Sequence, residues 1–331
     1  MIGPSVEVDR AMSDDPYSAG FAQFSRAMAL PWRLFAKPGN EAYLEAFRNG
    51  NIVLDALFYD VHVVAAEEAT DLAPWKVGEG AILIVPPTGA GRLTVCSTIE
   101  TFFDAGGGGI TTLTVAGVGS SALGTAAFAR NVADAVGAPV AAVVSGYGLA
   151  DLVTEATGGF LWFAGLTSIH DMWERFERSF DWMRAAATDP RAGGTDPVVA
   201  DRDADVVLAL LRDERAKIDL IVAHSKGNMV VGEALHALQR EDRPRADRIG
   251  ETVHVVSISS RLQMPRCCRQ VTEIVGRWDL IGTFATRRDA PPDVVVPDAW
   301  HHTNTELLGH LPVTRVLKEV LGNDGPTRAA G

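Results

Sequence analysis

Cysteine is scarce in this chain: 331 residues carry three, Cys96, Cys267 and Cys268. So few thiols give no disulfide framework. The adjacent pair Cys267–Cys268 has no further ligands at metal spacing and reads as two free thiols. Basic charge is also in deficit. Thirty Lys and Arg stand against 42 Asp and Glu, a formal net charge of -12, which argues against a nucleic-acid or anionic-membrane surface. Apolar runs are short. None reaches the roughly 18 uninterrupted residues that a membrane span needs. The first 25 residues, "MIGPSVEVDRAMSDDPYSAGFAQFS", have acids where a secretory leader has a basic end and an apolar middle, so a cytoplasmic protein is expected. No internal repeat is found.

What the chain does have is apolar bulk and alternation. Hydrophobic residues make up 47%, enough for a substantial core. Residues 1–50 read as a helical or irregular extension broken by "FAKPGN", and residues 51–331 as the main domain. "NIVLDALFYDVHVVAAE" and "GAILIVPPTGAG" read as strands. "ITTLTVAGV", "APVAAVVSGYG", "IDLIVAHS", "ETVHVVSISS", "VTEIVGRWD" and "PDVVVPDAW" are further strands. "TAAFARNVADAVG", "RDADVVLALLRDERAK", "NMVVGEALHALQRE" and "PVTRVLKEVLG" carry helical spacing between them. Strands alternating with helices predict an α/β fold: a mostly parallel central sheet with helices on both faces. One segment breaks the rhythm. An insertion at about 155–200 is rich in Trp and Phe, and Trp173, Phe176 and Phe180 fall at i, i+3 and i+7. It reads as a helix with an aromatic face, either packed on the sheet or closing as a lid over an apolar site.

The stretch with most chemical content is "LIVAHSKGNMV". A buried strand ends abruptly, a serine follows between small residues Ala223 and Gly227, and a helix begins. A nucleophilic serine needs an exposed oxygen, a base and oxyanion donors. A sharp strand-to-helix turn supplies the exposure and requires small residues two positions to either side. The alternative is that Ser225 is an ordinary helix cap. As a nucleophile, it would use the Lys226 amide as one oxyanion donor, at the positive end of the helix. His224 beside it reads as a locally packed or hydrogen-bonded side chain. A second Gly-rich turn, "VAGVGSSALG", contains G-x-G, but no acid ends the next strand and no Lys-Ser/Thr follows. It reads as a plain βα turn beside the active edge, with Ser120 and Ser121 structural or lining the pocket.

The elbow and its surroundings resemble the α/β-hydrolase superfamily, over about residues 60–322, and are similar to its serine esterases, lipases and depolymerases. "ILIVPPTGAG" also resembles polyhydroxyalkanoate synthases and depolymerases, although such synthases carry cysteine at the elbow and this chain has serine. The resemblance implies the chain order Ser, acid, His. Asp279 in "VTEIVGRWDLIG" is the acid it points to, with a turn cap as the alternative. The histidine is expected beyond the last strand, where His301, His302 and His310 compete. "VPDAWH" puts His301 in the family's place, with Glu306 five residues on, while Trp300 replaces the usual glycine. The second oxyanion donor is expected from "PPTGAG", at Thr88 and Gly89. The function implied is hydrolysis of a carboxylic ester through an acyl-enzyme, with no metal or organic cofactor, on a small-molecule or lipid-like substrate. Acyl transfer on the same triad, or a non-catalytic acyl- or polymer-binding role, are the alternatives.

Overall fold

A computed structural model describes residues 55–56, 58–73, 76–117, 120–145, 202–262, 264–279 and 291–323. All of them belong to one compact unit formed by residues 51–148 and 195–331. The expected N-terminal extension and the aromatic insertion at about 155–200 lie outside the described residues.

The described chain begins with helical residues 55–56 and 58, a 3₁₀ turn Val61–Val63 and helix α1 (Ala66–Asp71). Strands β1 (Ile82–Val85) and β2 (Thr94–Cys96), helix α2 (Ile99–Asp104) and strand β3 (Thr112–Val115) follow. Next come α3 (Ala122–Val136), β4 (Val140–Val143), α4 (Arg202–Arg212), β5 (Leu220–His224) and α5 (Gly227–Glu241). The chain continues through α6 (Arg243–Thr252), β6 (His254–Ile258), β7 (Gln270–Gly276), β8 (Val294–Val296) and α7 (Val313–Asn323). The eight strands form one sheet in the order β2-β1-β4-β3-β5-β6-β7-β8. From β4 across to β8 all neighbours are parallel, while β1 is antiparallel to both β4 and β2. The fold is therefore α/β with a mostly parallel sheet, as the alternation predicts.

Burial explains the strand composition. Every residue of β3, β4, β5 and β6 is buried, so these strands need apolar or small side chains on both faces. Helices α3 and α7 pack on each other, and α4, α5 and α6 form a second group. The chain steps from β3 to β4 in one direction and from β5 to β6 in the other, so right-handed crossovers put α3 and α5 on opposite faces. Ser121 caps α3 by accepting from the Leu123 amide, and Gly137 closes the helix at φ 71° with its N–H on the Ala133 carbonyl.

Two readings need correction. The stretch 51–67 is not a strand where it is described. Tyr59 N–H donates to the Asp55 carbonyl at 2.8 Å and Val63 N–H to that of Asp60 at 3.0 Å, so its backbone is satisfied by local turns. Its side chains go instead to distant loops, as described below. The polarity of β1 is the second. Val85 pairs with Val140 and Ile82 with Val143, so β1 ends where β4 begins. The loop "PPTGAG" therefore lies at the N-terminal edge of the parallel strands. It is anchored there by Arg130, whose guanidinium donates to the carbonyls of Pro86 (2.9 Å) and Pro87 (3.3 Å) and to the Glu68 carboxylate (2.8 Å).

The opposite edge, where β3 to β8 end, carries the backbone strain. Ser225, Ser259 and Asp298 are the non-glycine residues at positive φ among those described (52°, 54° and 56°), and each follows the end of β5, β6 or β8. Such conformations cost on the order of 1–2 kcal/mol each and persist only where the surroundings impose them. Helix α5 is pressed against β3 so closely that a Cβ on Gly227 would stand 2.3 Å from the Val115 carbonyl oxygen. We expect Gly227→Ala to destabilise the fold by ~2–3 kcal/mol or more in urea titration. Gly322→Ala, where a Cβ meets nothing within 4 Å, should stay within ~0.5 kcal/mol of the parent.

Candidate active site

The chain turns from β3 toward β4 and from β5 toward β6, so the topological switch point lies between the ends of β3 and β5. Open α/β sheets bind ligands at such a switch point. Ser225 sits on one side of it and the turn after β3 on the other. A Cβ on Gly117 would lie 2.9 Å from the Ser225 Cβ and 2.9 Å from the Tyr59 hydroxyl, so only glycine lets the β3 turn come this close.

Ser225 is held by its own backbone. Its N–H donates to the Ile258 carbonyl at 2.9 Å, and its carbonyl accepts from the Asn228 amide (3.1 Å) and side chain (3.0 Å). Asn228 also reaches the Ile258 carbonyl at 3.1 Å, stitching the elbow to the end of β6. Lys226 stands at the start of α5 with helical φ and ψ of -60° and -27°. Burial pushes its ammonium down to about 8, against the pull of Glu79 and Glu233.

His301 brings the other two groups together. Its Nε2 is 2.8 Å from Ser225 Oγ, and its Nδ1 is 2.9 Å and 3.0 Å from the two carboxylate oxygens of Asp279. A carboxylate only accepts, so the ring proton sits on Nδ1 and leaves Nε2 as the acceptor for the serine O–H. Asp279 is 1% exposed, and its position depends on a close approach between two loops. A Cβ on Gly276 would lie 2.4 Å from the Ala299 carbonyl oxygen, while Trp278 N–H donates to that carbonyl at 2.9 Å. The 299–301 loop thus runs against the end of β7, and His301 meets Asp279.

Of the three candidate histidines, His301 is the one placed against Ser225. His302 is half-buried, and burial pushes its imidazole down; its carbonyl accepts from Leu311. His310 bonds the Leu307 carbonyl through Nδ1 at 2.9 Å. Glu306 is exposed, with its N–H on the Asn304 side chain. Trp300, in place of the expected glycine, lies over Gly309, where a Cβ would meet its ring at 2.5 Å. Asp279, for which a turn cap was the alternative, faces His301.

Thr88 and Gly89 are not brought to this edge. Thr88 N–H donates to Asp134 at 2.6 Å and its hydroxyl to the same carboxylate at 2.7 Å. The antiparallel run of β1 carries the whole loop away from Ser225, so neither residue can meet an oxyanion there. The loop that does border Ser225 is the Gly-rich turn after β3. Its Gly117 N–H donates to the Tyr59 hydroxyl, and residues 118–119 lie outside the described residues. Ser120 and Ser121 are structural: Ser120 Oγ contacts Ser145 and Thr125 at 3.3 Å, and Ser121 caps α3.

Residues 55–60, which nothing in the sequence pattern marks, tie the turn after β3, the end of β5 and the loop at 301–305 where they are described. Asp55 accepts from the Ser121 amide and hydroxyl, the latter at 2.5 Å. The Phe58 carbonyl accepts from the Thr303 amide (2.8 Å) and hydroxyl (2.9 Å). The Ala56 carbonyl takes the Asn304 side chain at 2.6 Å, and Asp60 takes Asn131 and Thr305. The Phe58 ring stands edge-on to His301. His224 contacts Tyr59 and the His301 carbonyl, partners far away in sequence rather than the local ones expected.

A scan of the sequence against protein-family profiles finds no match, and neither do searches of curated proteins and of solved structures. No described helix is long and apolar enough to cross a membrane.

Asp55 gives a test of how the edge is held. Burial pushes its carboxyl up to about 7, against the hydrogen bonds from Ser121 and Gly124. Between about pH 4 and about pH 7 the folded state binds a proton that the unfolded chain has already lost, so this group's contribution to stability falls as pH rises through that window. His224, pushed down to about 3 by its burial, works in the opposite sense from about pH 3 to 6.5. Comparison with Asp55→Asn removes that background. Relative to the parent, the Asn variant should gain in Tm from pH 5 to pH 8, whereas a constant difference would show that Asp55 does not titrate in this range.

Proposed function

We propose that the protein is a serine hydrolase of carboxylic esters with an α/β-hydrolase arrangement, working through an acyl-enzyme. The observation that carries this reading is the continuous contact Ser225 Oγ–His301 Nε2 with His301 Nδ1–Asp279 behind it. Three features support it. Ser225 is held at φ 52° between strand and helix, the strain expected of a presented nucleophile. The three groups follow one another along the chain as Ser, Asp, His. Among the described strands the sheet has one antiparallel strand, β1, on the far side of β3 and β4 from β5 to β8.

In the proposed reaction His301 Nε2 takes the proton of Ser225 as Oγ attacks the ester carbonyl carbon. Asp279 holds the ring in the Nδ1–H tautomer and stabilises the imidazolium that forms. The tetrahedral oxyanion is assigned to the Lys226 amide at the first turn of α5. His301 then gives its proton to the departing alkoxide, leaving an acyl-serine. Water, deprotonated by the same nitrogen, attacks that ester and releases the acid. His301 passes the water's proton to the departing Ser225 oxygen; the serine's first proton has left on the alcohol, so each group ends in its starting protonation state, and no step calls for a metal or organic cofactor. The aromatic segment at about 155–200 is the basis for proposing an apolar, lipid-like acyl group.

A fluorophosphonate probe tests the reading. It should label the protein once, at Ser225, and label neither Ser225→Ala nor, at a comparable rate, His301→Ala, with losses of about 10³-fold or more. His310→Ala and Thr88→Val should stay within about threefold of the parent, because neither residue is assigned a role at Ser225. Failure of the folded protein to react, or labelling that survives in Ser225→Ala, would sink the proposal. Product analysis with added alcohols separates hydrolysis from acyl transfer.

A further inference from the structure

We propose that Tyr59 and His224 are positioning residues: a hydrogen-bond chain of fixed direction runs through them to the main chain of His301 and sets the placement of its ring. This inference rests on the assignment of His301 as the base in the reaction proposed above.

The chain has three links. Gly117 N–H reaches the Tyr59 hydroxyl at 2.6 Å, the hydroxyl reaches His224 Nδ1 at 3.0 Å, and His224 Nε2 reaches the His301 carbonyl at 3.0 Å. Its direction follows from the two ends. A carbonyl oxygen only accepts, so His224 carries its proton on Nε2. An amide N–H only donates, so the Tyr59 oxygen accepts from Gly117 and directs its own proton to Nδ1. The result is one consistent arrangement with every group used, provided His224 is neutral. Its surroundings keep it so: the side chain is 1% exposed, with the Tyr59, Phe128 and His301 rings around it, and burial pushes its imidazole down to about 3. Burial likewise keeps the Tyr59 hydroxyl protonated.

The geometry gives this chain a task that packing alone does not. His301 is gripped at its ring by Asp279 and at its own carbonyl by His224, the residue immediately before the serine. The elbow and the base are therefore tied by a second route that bypasses the reacting atoms. Gly117, at the other end, abuts Ser225. Three loops from separate strands are thus registered through two side chains, and a displacement of about 1 Å in such a constellation can cost ~10²-fold in rate.

Replacements of similar size test the chain. His224→Gln keeps an N–H that can reach the His301 carbonyl, whereas His224→Met fills the space without a donor. Tyr59→Phe removes only the hydroxyl. We expect His224→Met and Tyr59→Phe to stay folded by circular dichroism and lose about tenfold or more in kcat on a nitrophenyl ester, with KM within about twofold. His224→Gln should recover to within about threefold. A second readout needs no turnover: the far-downfield proton resonance of His301 Nδ1–H on Asp279 should be present in the parent and the Gln variant and weakened or lost in the Met variant. A Met variant with parental kcat and an unchanged resonance would overturn the proposal, as would a folded Gln variant no better than Met in both. If the parent itself does not react at Ser225, the esterase reading fails, and the resonance alone still decides whether His224 positions His301.

Discussion

The site depends on one constraint: a serine forced into a left-handed backbone between a strand and a helix. Nothing about serine favours φ 52°. It is imposed by β5 ending beside β6, with Ser225 N–H and the Asn228 side chain both on the Ile258 carbonyl, and by α5 leaving at once across β3. That exit is possible because Gly227 has no Cβ to strike the Val115 carbonyl, and the β3 turn can approach because Gly117 has none to strike Ser225. The hydroxyl is left at the edge where the sheet's connections diverge, against His301. A single methyl group at either glycine would move the serine or the loops that face it.

A second constraint holds the partners of that serine. His301 lies in a loop after an edge strand of three residues, a weak platform for a group that stands 2.8 Å from the Ser225 hydroxyl on another loop. The structure compensates by tying residues 303–305 to the 55–60 segment through Phe58, Ala56 and Asp60. Asp279 is fixed from the other side, where Gly276 allows the 299–301 loop to cross β7. The same 55–60 segment reaches the turn after β3 through Asp55 and Tyr59. The loops at 117–121 and 303–305 therefore answer to one short stretch.

What could be read from sequence was what local pattern encodes. Apolar strand runs and helical spacing predict the parallel α/β body, and the small residues flanking Ser225 mark the tight turn. Asp279 and His301 come from the chain order that the resemblance implies, though His302 and His310 fit that order almost as well, since choosing among neighbours requires knowing where the 299–301 loop crosses β7. What was not legible was long-range. The polarity of β1 leaves no trace in its own residues, so "PPTGAG" was placed at the wrong edge. Asp55, Tyr59 and Asp60 lie in an apolar stretch that reads as a strand, and only their remote partners reveal them as polar ties. No apolar spacing marks helix α6, because "RPRADRIGET" is mostly polar, although Asp242 caps it by accepting from the Arg245 amide and Pro244 sits in its first turn.

Whether Ser225, His301 and Asp279 act as one nucleophilic unit is tested by rapid mixing with p-nitrophenyl acetate, followed by acid quench and peptide mass analysis. A burst of nitrophenolate close to one equivalent per chain is expected, with a single acetyl group on the peptide bearing Ser225. A folded protein that gives no burst, or that carries the acetyl group on Lys226 or another residue instead, would contradict that reading.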